Sequence, residues 1–207
     1  MSKYKIKIVD SVQKIENNIL RAFETDFKQS LRAAVPRIQS NVVELVKDKL
    51  RVCPEIISIR SGVLKFDFGI GDDVTEPLIA AIADSVYVYF RNIRINKRAT
   101  NAILSIYIQR SDFVNIIQNA YGVTITEKGE NIPWLEWLLL GGDAVLLVGY
   151  RVSYGLYDES RSGGAIMVPG GFYKIPSEYS GTPADNFITR ALENSQEEIY
   201  DIVRRSI

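Results

Sequence analysis

Carboxylates and a lone cysteine are the first candidates for chemistry in this sequence of 207 residues. Glu136 and Asp143 flank a short aromatic segment, and Asp72 and Asp73 lie together beside glycines. Paired carboxylates can act as general acid and base when burial separates their pKa values, and they can bind calcium. Aspartate beside glycine is also typical of an ordinary turn, which favours a structural role. Cys53, at a predicted helix end, is expected to be a small buried apolar residue.

Composition excludes several kinds of active site. Histidine is absent, so Ser-His-Asp and Cys-His arrangements cannot form. One cysteine cannot make an internal disulfide or a cysteine-rich zinc site. The sequence lacks the glycine-rich loops that bind phosphate, while a Ser-Lys dyad is left open. Lys and Arg number 25 and Asp and Glu number 25, and a chain of zero net charge lacks the broad basic field that holds duplex DNA.

The bulk composition is that of a globular domain. Hydrophobic residues make up 46% and charged residues 24% of the chain. No apolar run reaches the roughly 18 residues needed to cross a bilayer, and the N-terminus lacks the apolar segment of a signal peptide. We therefore expect a protein made in a reducing, cytosol-like compartment, with no membrane partner.

The first 50 residues predict helix. Apolar side chains recur there every three or four positions and so share one face: Val12, Ile15, Ile19, Phe23, Phe27, Leu31 and Ala34. Asp10 or Ser11 is the expected N-cap. Pro36 removes a hydrogen-bond donor and clashes with the preceding turn, so we expect two helical segments with a bend near Val35.

The remaining sequence predicts a mixture of strands and helices in one domain, 1–207, with 1–52 as a helical arm and 53–207 as the core. Predicted strands lie at 56–59, 63–68, 93–95, 103–108, 123–125, 144–150, 165–168 and 172–175. Predicted helices lie at 77–90, 112–121, 134–140 and from about 185 to 203. The nearly continuous apolar run at 144–150 is typical of a central strand, and 165–168 is expected to form a hairpin with 172–175.

Two segments suggest contact with other molecules. Trp134, Trp137 and Leu138 cover more than one face of the predicted helix at 134–140, which indicates either a core helix or a core helix that also meets a neighbouring subunit. The segment 160–167 joins a polar loop to an apolar strand. It is either an ordinary surface hairpin or a loop that orders on meeting a partner.

Several motifs together resemble the tail-completion or neck proteins of tailed bacteriophages. They are Trp134-Leu-Glu-Trp-Leu-Leu, Gly142-Asp143 with the apolar strand after it, Ser160-Arg-Ser-Gly-Gly-Ala-Ile-Met167, Pro176, and Gly181-Thr-Pro-Ala-Asp-Asn-Phe-Ile-Thr-Arg-Ala-Leu192. The last segment is similar to a P-a-x-x-F-h-x-x-A-h signature (h, apolar) of minor tail components, through Pro183, Phe187, Ala191 and Leu192. The upstream hEfG element is matched loosely by Trp134-Leu-Glu-Trp, with its glycine later, at Gly141.

The resemblance implies an α+β fold, with a small twisted, mostly antiparallel sheet packed by helices. It implies a structural ring subunit of the virion neck, sixfold or alternatively twelvefold, made in the host cytoplasm and without catalysis or cofactor. The partners would be the head connector or portal adaptor and the tail terminator or tube proteins, with DNA passing through the lumen without sequence-specific binding. The candidate interface residues are Trp134, Glu136, Trp137, Leu138, Arg161, Ser162, Gly163, Met167, Asn186, Phe187 and Arg190.

Other functions are left open by the sequence. A tail terminator that caps the tail tube would share these features. A small hydrolase would use Glu136 or Asp143 as its acid or base. A host-encoded adaptor domain would be a monomer in solution.

Overall fold

A computed structural model describes residues 10–95, 100–108, 114–118, 120–126 and 129–207. Its helices are α1 (Val12–Arg51), α2 (Pro54–Ser61), α3 (Val63–Asp67), α4 (Thr75–Asp84), α5 (Val114–Ile117), α6 (Trp134–Leu140), α7 (Phe187–Ala191) and α8 (Gln196–Ser206), with a 3-10 turn at Ala120–Gly122. Its strands are β1 (Val86–Ile95), β2 (Thr100–Ile108), β3 (Thr124–Ile125), β4 (Asn131–Ile132), β5 (Leu147–Tyr154) and β6 (Ala165–Tyr173). The expected α+β class is confirmed. The strands pair antiparallel as β1–β2, β3–β4 and β5–β6, so the described chain holds three small sheets in place of one.

Helix α1 runs unbroken through Pro36, so the prediction of two separate helical segments is wrong. The helix begins as expected, because the Ser11 side chain accepts a hydrogen bond from the Lys14 backbone at 3.3 Å. Pro36 is exposed, whereas Ala34 and Ile38 beside it are buried in the core. Burial on both sides of the proline outweighs the loss of one backbone hydrogen bond, so the helix continues.

The second half of α1 lies at the centre of the core. Its buried stripe consists of Leu31, Ala34, Ile38, Val42, Val46 and Leu50, and it packs against α4, β1 and α8. Residues 12–30 of the same helix bury no side chain, and we call this stretch the arm. One helix therefore belongs both to the core and to the arm.

The region predicted as strands at 56–59 and 63–68 is helical, and that prediction is wrong. Pro54 is the first residue of α2, a position where its fixed φ favours helix. Ile56 and Ile59 are buried while Ile57 is exposed, which is helical spacing. Gly62 lies between α2 and α3, and glycine is required there because a Cβ would lie 2.9 Å from the Ser58 Cα.

The sheet β1–β2 follows α4 directly, so the helix predicted to reach residue 90 ends earlier, at Asp84. Val86 and Val88 are buried, whereas Tyr87 and Tyr89 are exposed, and this alternation defines a strand with one face on the core. The sheet is antiparallel, and α1 packs against β1. The predicted strands at 93–95 and 103–108 are confirmed within β1 and β2.

The apolar run at 144–150 does not form a central strand. Strand β5 begins at Leu147 and pairs with β6 alone, and Val148 is 82% exposed. The predicted hairpin within 165–175 is also wrong, since β6 is one continuous strand. Gly170 and Gly171, with φ of 99° and 85°, form an irregularity opposite Gly149, where the register shifts, rather than a turn between two strands.

The remaining predictions are mixed. Helix α6 is confirmed, and β3 confirms part of 123–125. The helix predicted after residue 185 is divided into α7 and α8, and Asn194 adopts a φ of 66° between them. Of the helix predicted at 112–121, α5 is described, while 109–113 and 119 lie outside the described residues.

Candidate assembly surfaces

Four of the predicted interface residues lie in the core. The exposed fraction is 1% for Trp134, 0% for Leu138, 0% for Asn186 and 0% for Phe187. Trp134 stacks on Phe68 with the ring centroids 5.5 Å apart. These side chains offer a neighbouring subunit almost no surface, so the expectation of a subunit contact at these four positions is corrected: they stabilise the fold of their own chain.

The side chains of the other candidates are at least partly exposed to solvent, and their role in a subunit interface stays a prediction. Glu136, Arg161 and Gly163 are exposed, whereas Trp137, Ser162, Met167 and Arg190 are half-buried. The loop between β5 and β6 has its own hydrogen bonds. The Gly155 backbone donates to the Gly164 carbonyl at 3.0 Å, and the Ser160 hydroxyl donates to the Ala165 carbonyl at 2.7 Å. This geometry favours an ordinary surface hairpin over a loop that orders only on binding.

Asn186 has a local task that explains its burial. Its side chain accepts hydrogen bonds from the backbone of Ile188 and Thr189, and the Thr189 hydroxyl accepts one from the Asn186 backbone in return. This capping box begins α7 and turns Phe187 into the core. The motif segment that carries the family resemblance is therefore a capped helix that closes the C-terminal side of the core.

A buried ion pair joins α7 to α2. The Arg190 Nη2 atom lies 2.7 Å from the Glu55 Oε1 atom, and the Glu55 side chain is 4% exposed. The other guanidinium nitrogen contacts Asp185 at 3.0 Å. Because Glu55 has almost no access to water, Arg190 replaces the water that would otherwise solvate its carboxylate. Arg190 is thus committed to its own chain, although part of its side chain is exposed.

One buried carboxylate holds the β5–β6 hairpin. Tyr154 donates a hydrogen bond to the Asp67 Oδ1 atom at 2.5 Å, and Tyr173 donates one to Oδ2 at 3.1 Å. These tyrosines lie at opposite ends of the ladder, since Tyr154 pairs with Ala165 and Tyr173 pairs with Leu147. The hairpin must therefore curve around α3 for both hydroxyls to reach one side chain.

Burial determines how Asp67, Tyr154 and Tyr173, which we call the Asp67 clamp, bind protons. Burial raises the pKa of Asp67, and the hydrogen bonds from Tyr154 and Tyr173 lower it in part. Burial also raises the pKa of both tyrosines, and the neighbouring Asp67 carboxylate raises it further. Both carboxylate oxygens are occupied by donors of the same chain, so Asp67 anchors the hairpin and is poorly placed to act as a general base. The sequence does not single out Asp67, because its one local signal is an acid between Phe66 and Phe68.

The β5–β6 hairpin exposes an apolar pair near one end of its ladder, and we call this surface the hairpin face. Val148 and Phe172 are paired across the two strands, so they lie on the same side, and they are 82% and 59% exposed. Leu156, just beyond β5, is 95% exposed. Val148 and Phe172 form one continuous exposed apolar pair. Contiguous exposed apolar surface is typical of contact sites.

The arm carries a second exposed apolar surface. Val12, Ile19 and Phe23 are 74%, 63% and 50% exposed. Phe23 stacks on Phe27 with centroids 6.1 Å apart. These residues belong to the periodic apolar stripe of α1, but no core covers them. A helical arm with an uncovered stripe is marginal in water, because helices in proteins draw most of their stability from packing.

The carboxylates first considered for chemistry all lie at the surface. Glu136 and Asp143 are both exposed. Asp73 lies just before α4: its carboxylate accepts hydrogen bonds from the hydroxyl and the backbone of Thr75, which lower the pKa of Asp73. Cys53 is buried as expected, and burial raises the pKa of its thiol to about 11. Within the described ranges, no group of three or more Asp, Glu or Cys residues could hold a metal ion.

Comparisons with known proteins add no relative. No family model matches the sequence, and no curated protein and no solved structure matches it significantly. Among the residues whose structure is described, none of the helices combines the length and the hydropathy that a membrane span requires.

Proposed function

We propose that this chain is a structural ring subunit of a tailed-phage virion, at the neck that joins the DNA-filled head to the tail. It works by assembly and not by catalysis. The observation that carries the proposal is the hairpin face, where Val148 and Phe172 stand in solvent on a hairpin anchored at Asp67. The resemblance of 130–192 to neck proteins supplies the virion context.

Ring closure requires two different complementary surfaces on each subunit, so that every copy binds the next one head to tail. The described chain offers two apolar surfaces on separate elements, the arm and the hairpin face. In the proposed ring, the arm of one copy lies on the hairpin face of its neighbour. Each contact covers apolar area that a single chain leaves in water, which is the driving force for association.

The ring is tested by measuring particle mass with native mass spectrometry at micromolar concentration. We expect a multiple of 23.3 kDa, with six copies favoured by the resemblance. The double substitution Val148→Lys/Phe172→Lys should shift the mass towards 23.3 kDa, because it places charges in the contact. Ile125→Lys is the matched control, since Ile125 is 60% exposed on β3. A wild-type protein of 23.3 kDa at every concentration overturns the ring.

A mixing experiment tests the head-to-tail arrangement. The arm variant Ile19→Gln/Phe23→Gln should also fail to form rings. Mixed with the hairpin-face variant, however, it still has an intact hairpin face, and the other variant still has an intact arm. One productive contact per pair remains, so the mixture should yield a heterodimer. If neither variant forms rings alone and the two do not bind each other when mixed, the head-to-tail pairing of these two surfaces is refuted.

The virion role is tested separately, by peptide mass spectrometry of purified particles of the encoding phage. We expect the chain at the low copy number of a single ring relative to the capsid protein. Its absence from intact particles would refute the neck assignment and leave the assembly result standing.

A further inference from the structure

The outer face of β1–β2 carries an aromatic surface unlike the two apolar ones. Tyr87, Tyr89 and Arg91 alternate along β1 on this side, opposite Tyr107, Ser105 and Ile103 of β2. Tyr87, Tyr89 and Tyr107 are 46%, 39% and 45% exposed. We call these six residues the tyrosine face.

The rings of this face form one connected group. Tyr87 and Tyr107 are stacked with centroids 5.9 Å apart, and Tyr89 meets Tyr107 edge to face at 5.6 Å. The opposite side of the sheet is fixed on the core through Val86 and Val88. A rigid strand backbone thus presents several rings side by side, the arrangement on which successive unstacked bases can stack.

The segment that contains β1 and β2 carries charged residues of one sign only. Residues 85–111 hold five Lys or Arg residues and no Asp or Glu, so the rest of the chain carries a net charge of −5. The zero charge of the whole chain conceals this local excess. Arg91 lies on the tyrosine face itself and is exposed. Acidic side chains lie at one end of the face, where Asp185 and Glu193 share a groove of about 780 Å³ with Tyr107.

We propose that the tyrosine face binds single-stranded nucleic acid. Bases stack on the tyrosines, and Arg91 contacts the phosphate backbone. Positive charge without acidic residues in the segment matches a polyanion, and the exposed rings match its bases. Stacking needs bases freed from their partners, so a single strand is favoured over a duplex. This inference is independent of the ring proposal, whose surfaces lie elsewhere.

Fluorescence anisotropy of labelled oligothymidylate tests the proposal, with the full chain, a probe of about 20 nucleotides and about 50 mM salt. We expect saturable binding that weakens as salt rises. Tyr89→Leu should weaken binding at least about 5-fold, because it removes one stacking ring, whereas Tyr89→Phe keeps the ring and should retain affinity. Arg91→Gln should weaken binding and reduce the salt slope by about 0.7.

Exposed residues of α8 provide matched controls. Tyr200 is 67% exposed, so Tyr200→Leu and Arg204→Gln should leave binding unchanged. Thermal unfolding of each variant verifies that the fold is intact. The proposal is overturned if wild type does not bind, if the α8 variants lose as much affinity as those of the tyrosine face, or if a duplex of the same length binds as tightly. Tyrosine-face variants that change particle mass without changing binding would make this face a protein interface instead.

Discussion

The burial of the Asp67 clamp predicts how substitutions within it change the stability of the protein. Tyr173→Phe removes one donor from a buried carboxylate and changes little else, since the ring remains. A hydrogen bond to a charged group contributes about 1.5–3 kcal/mol. For a chain of this length that loss lowers Tm by about 3–12 °C. Tyr154→Phe should lower stability less, because the Tyr154 side chain is half-exposed and water can replace part of the contact.

Asp67→Asn should behave differently from the tyrosine variants. The amide can accept from one tyrosine and donate to the other, and it carries no charge to bury. Because burial is the largest influence on Asp67 and raises its pKa, the charged form is less stable in the folded chain than in the unfolded one. At neutral pH this substitution should therefore be neutral or stabilising, and Tyr173→Phe should destabilise.

The pH dependence of the free energy of unfolding tests the same reasoning independently. Below its unfolded pKa, Asp67 is neutral in both states. As pH rises from there to the raised folded pKa, the unfolded chain loses its proton first, so the free energy of unfolding falls. Asp67→Asn lacks this fall, so its stability relative to wild type should improve from acid to neutral pH.

Urea unfolding followed by circular dichroism at acid and neutral pH measures each of these differences. Tyr200→Phe is the control for loss of an exposed hydroxyl, and it should change nothing. If Asp67→Asn destabilises the protein as much as Tyr173→Phe, by an amount that grows with pH, the carboxylate is needed in its charged form. The reasoning from burial would then be refuted.

Three further substitutions test the fold by the same unfolding measurement. Arg190→Ala should cost about 3 kcal/mol, because it leaves the Glu55 carboxylate buried without its partner. Gly164→Ala should cost about 1–3 kcal/mol, since its Cβ would lie 2.4 Å from a ring carbon of Phe66. Pro36→Ala should stabilise α1 by up to about 3 kcal/mol, because the proline is exposed and lacks a helical hydrogen bond.

Each of these expectations has a contrary result. Unchanged stability in Arg190→Ala would mean that water reaches the partner carboxylate. Unchanged stability in Gly164→Ala would mean that the neighbouring ring can move aside without loss. A destabilised Pro36→Ala would mean that the proline ring packs on something essential.

The parts of the fold that sequence predicted have strong local signals. Ser11 marks the start of α1, and Gly141 follows the end of α6, because side-chain capping and glycine stops act within a few residues. The region after Cys53 was mispredicted since a short run of isoleucines suits a strand or a helix equally, and Pro54 at the first helical position was the deciding signal.

Burial was harder to predict than secondary structure. Val148 belongs to the most apolar run of the chain and is nevertheless in solvent, whereas the charged Glu55 and Asp67 are buried. Which face a residue takes depends on partners distant in sequence, such as Arg190 and Tyr173, and no local pattern encodes them. The candidate surfaces are therefore visible only in the structure, while Trp134 and Phe187, both predicted to be interface residues, are core.

The continuity of α1 fixes distance as well as shape. Residues 12–30 extend about 28 Å at 1.5 Å per residue, and the same helix then enters the core without a joint. A partner bound at the N-terminal end of α1 is therefore held at a fixed distance from the core of this chain. Deleting two turns ahead of Leu31 would draw a gripped neighbour about 10 Å closer, and the diameter of any closed assembly would have to change with it.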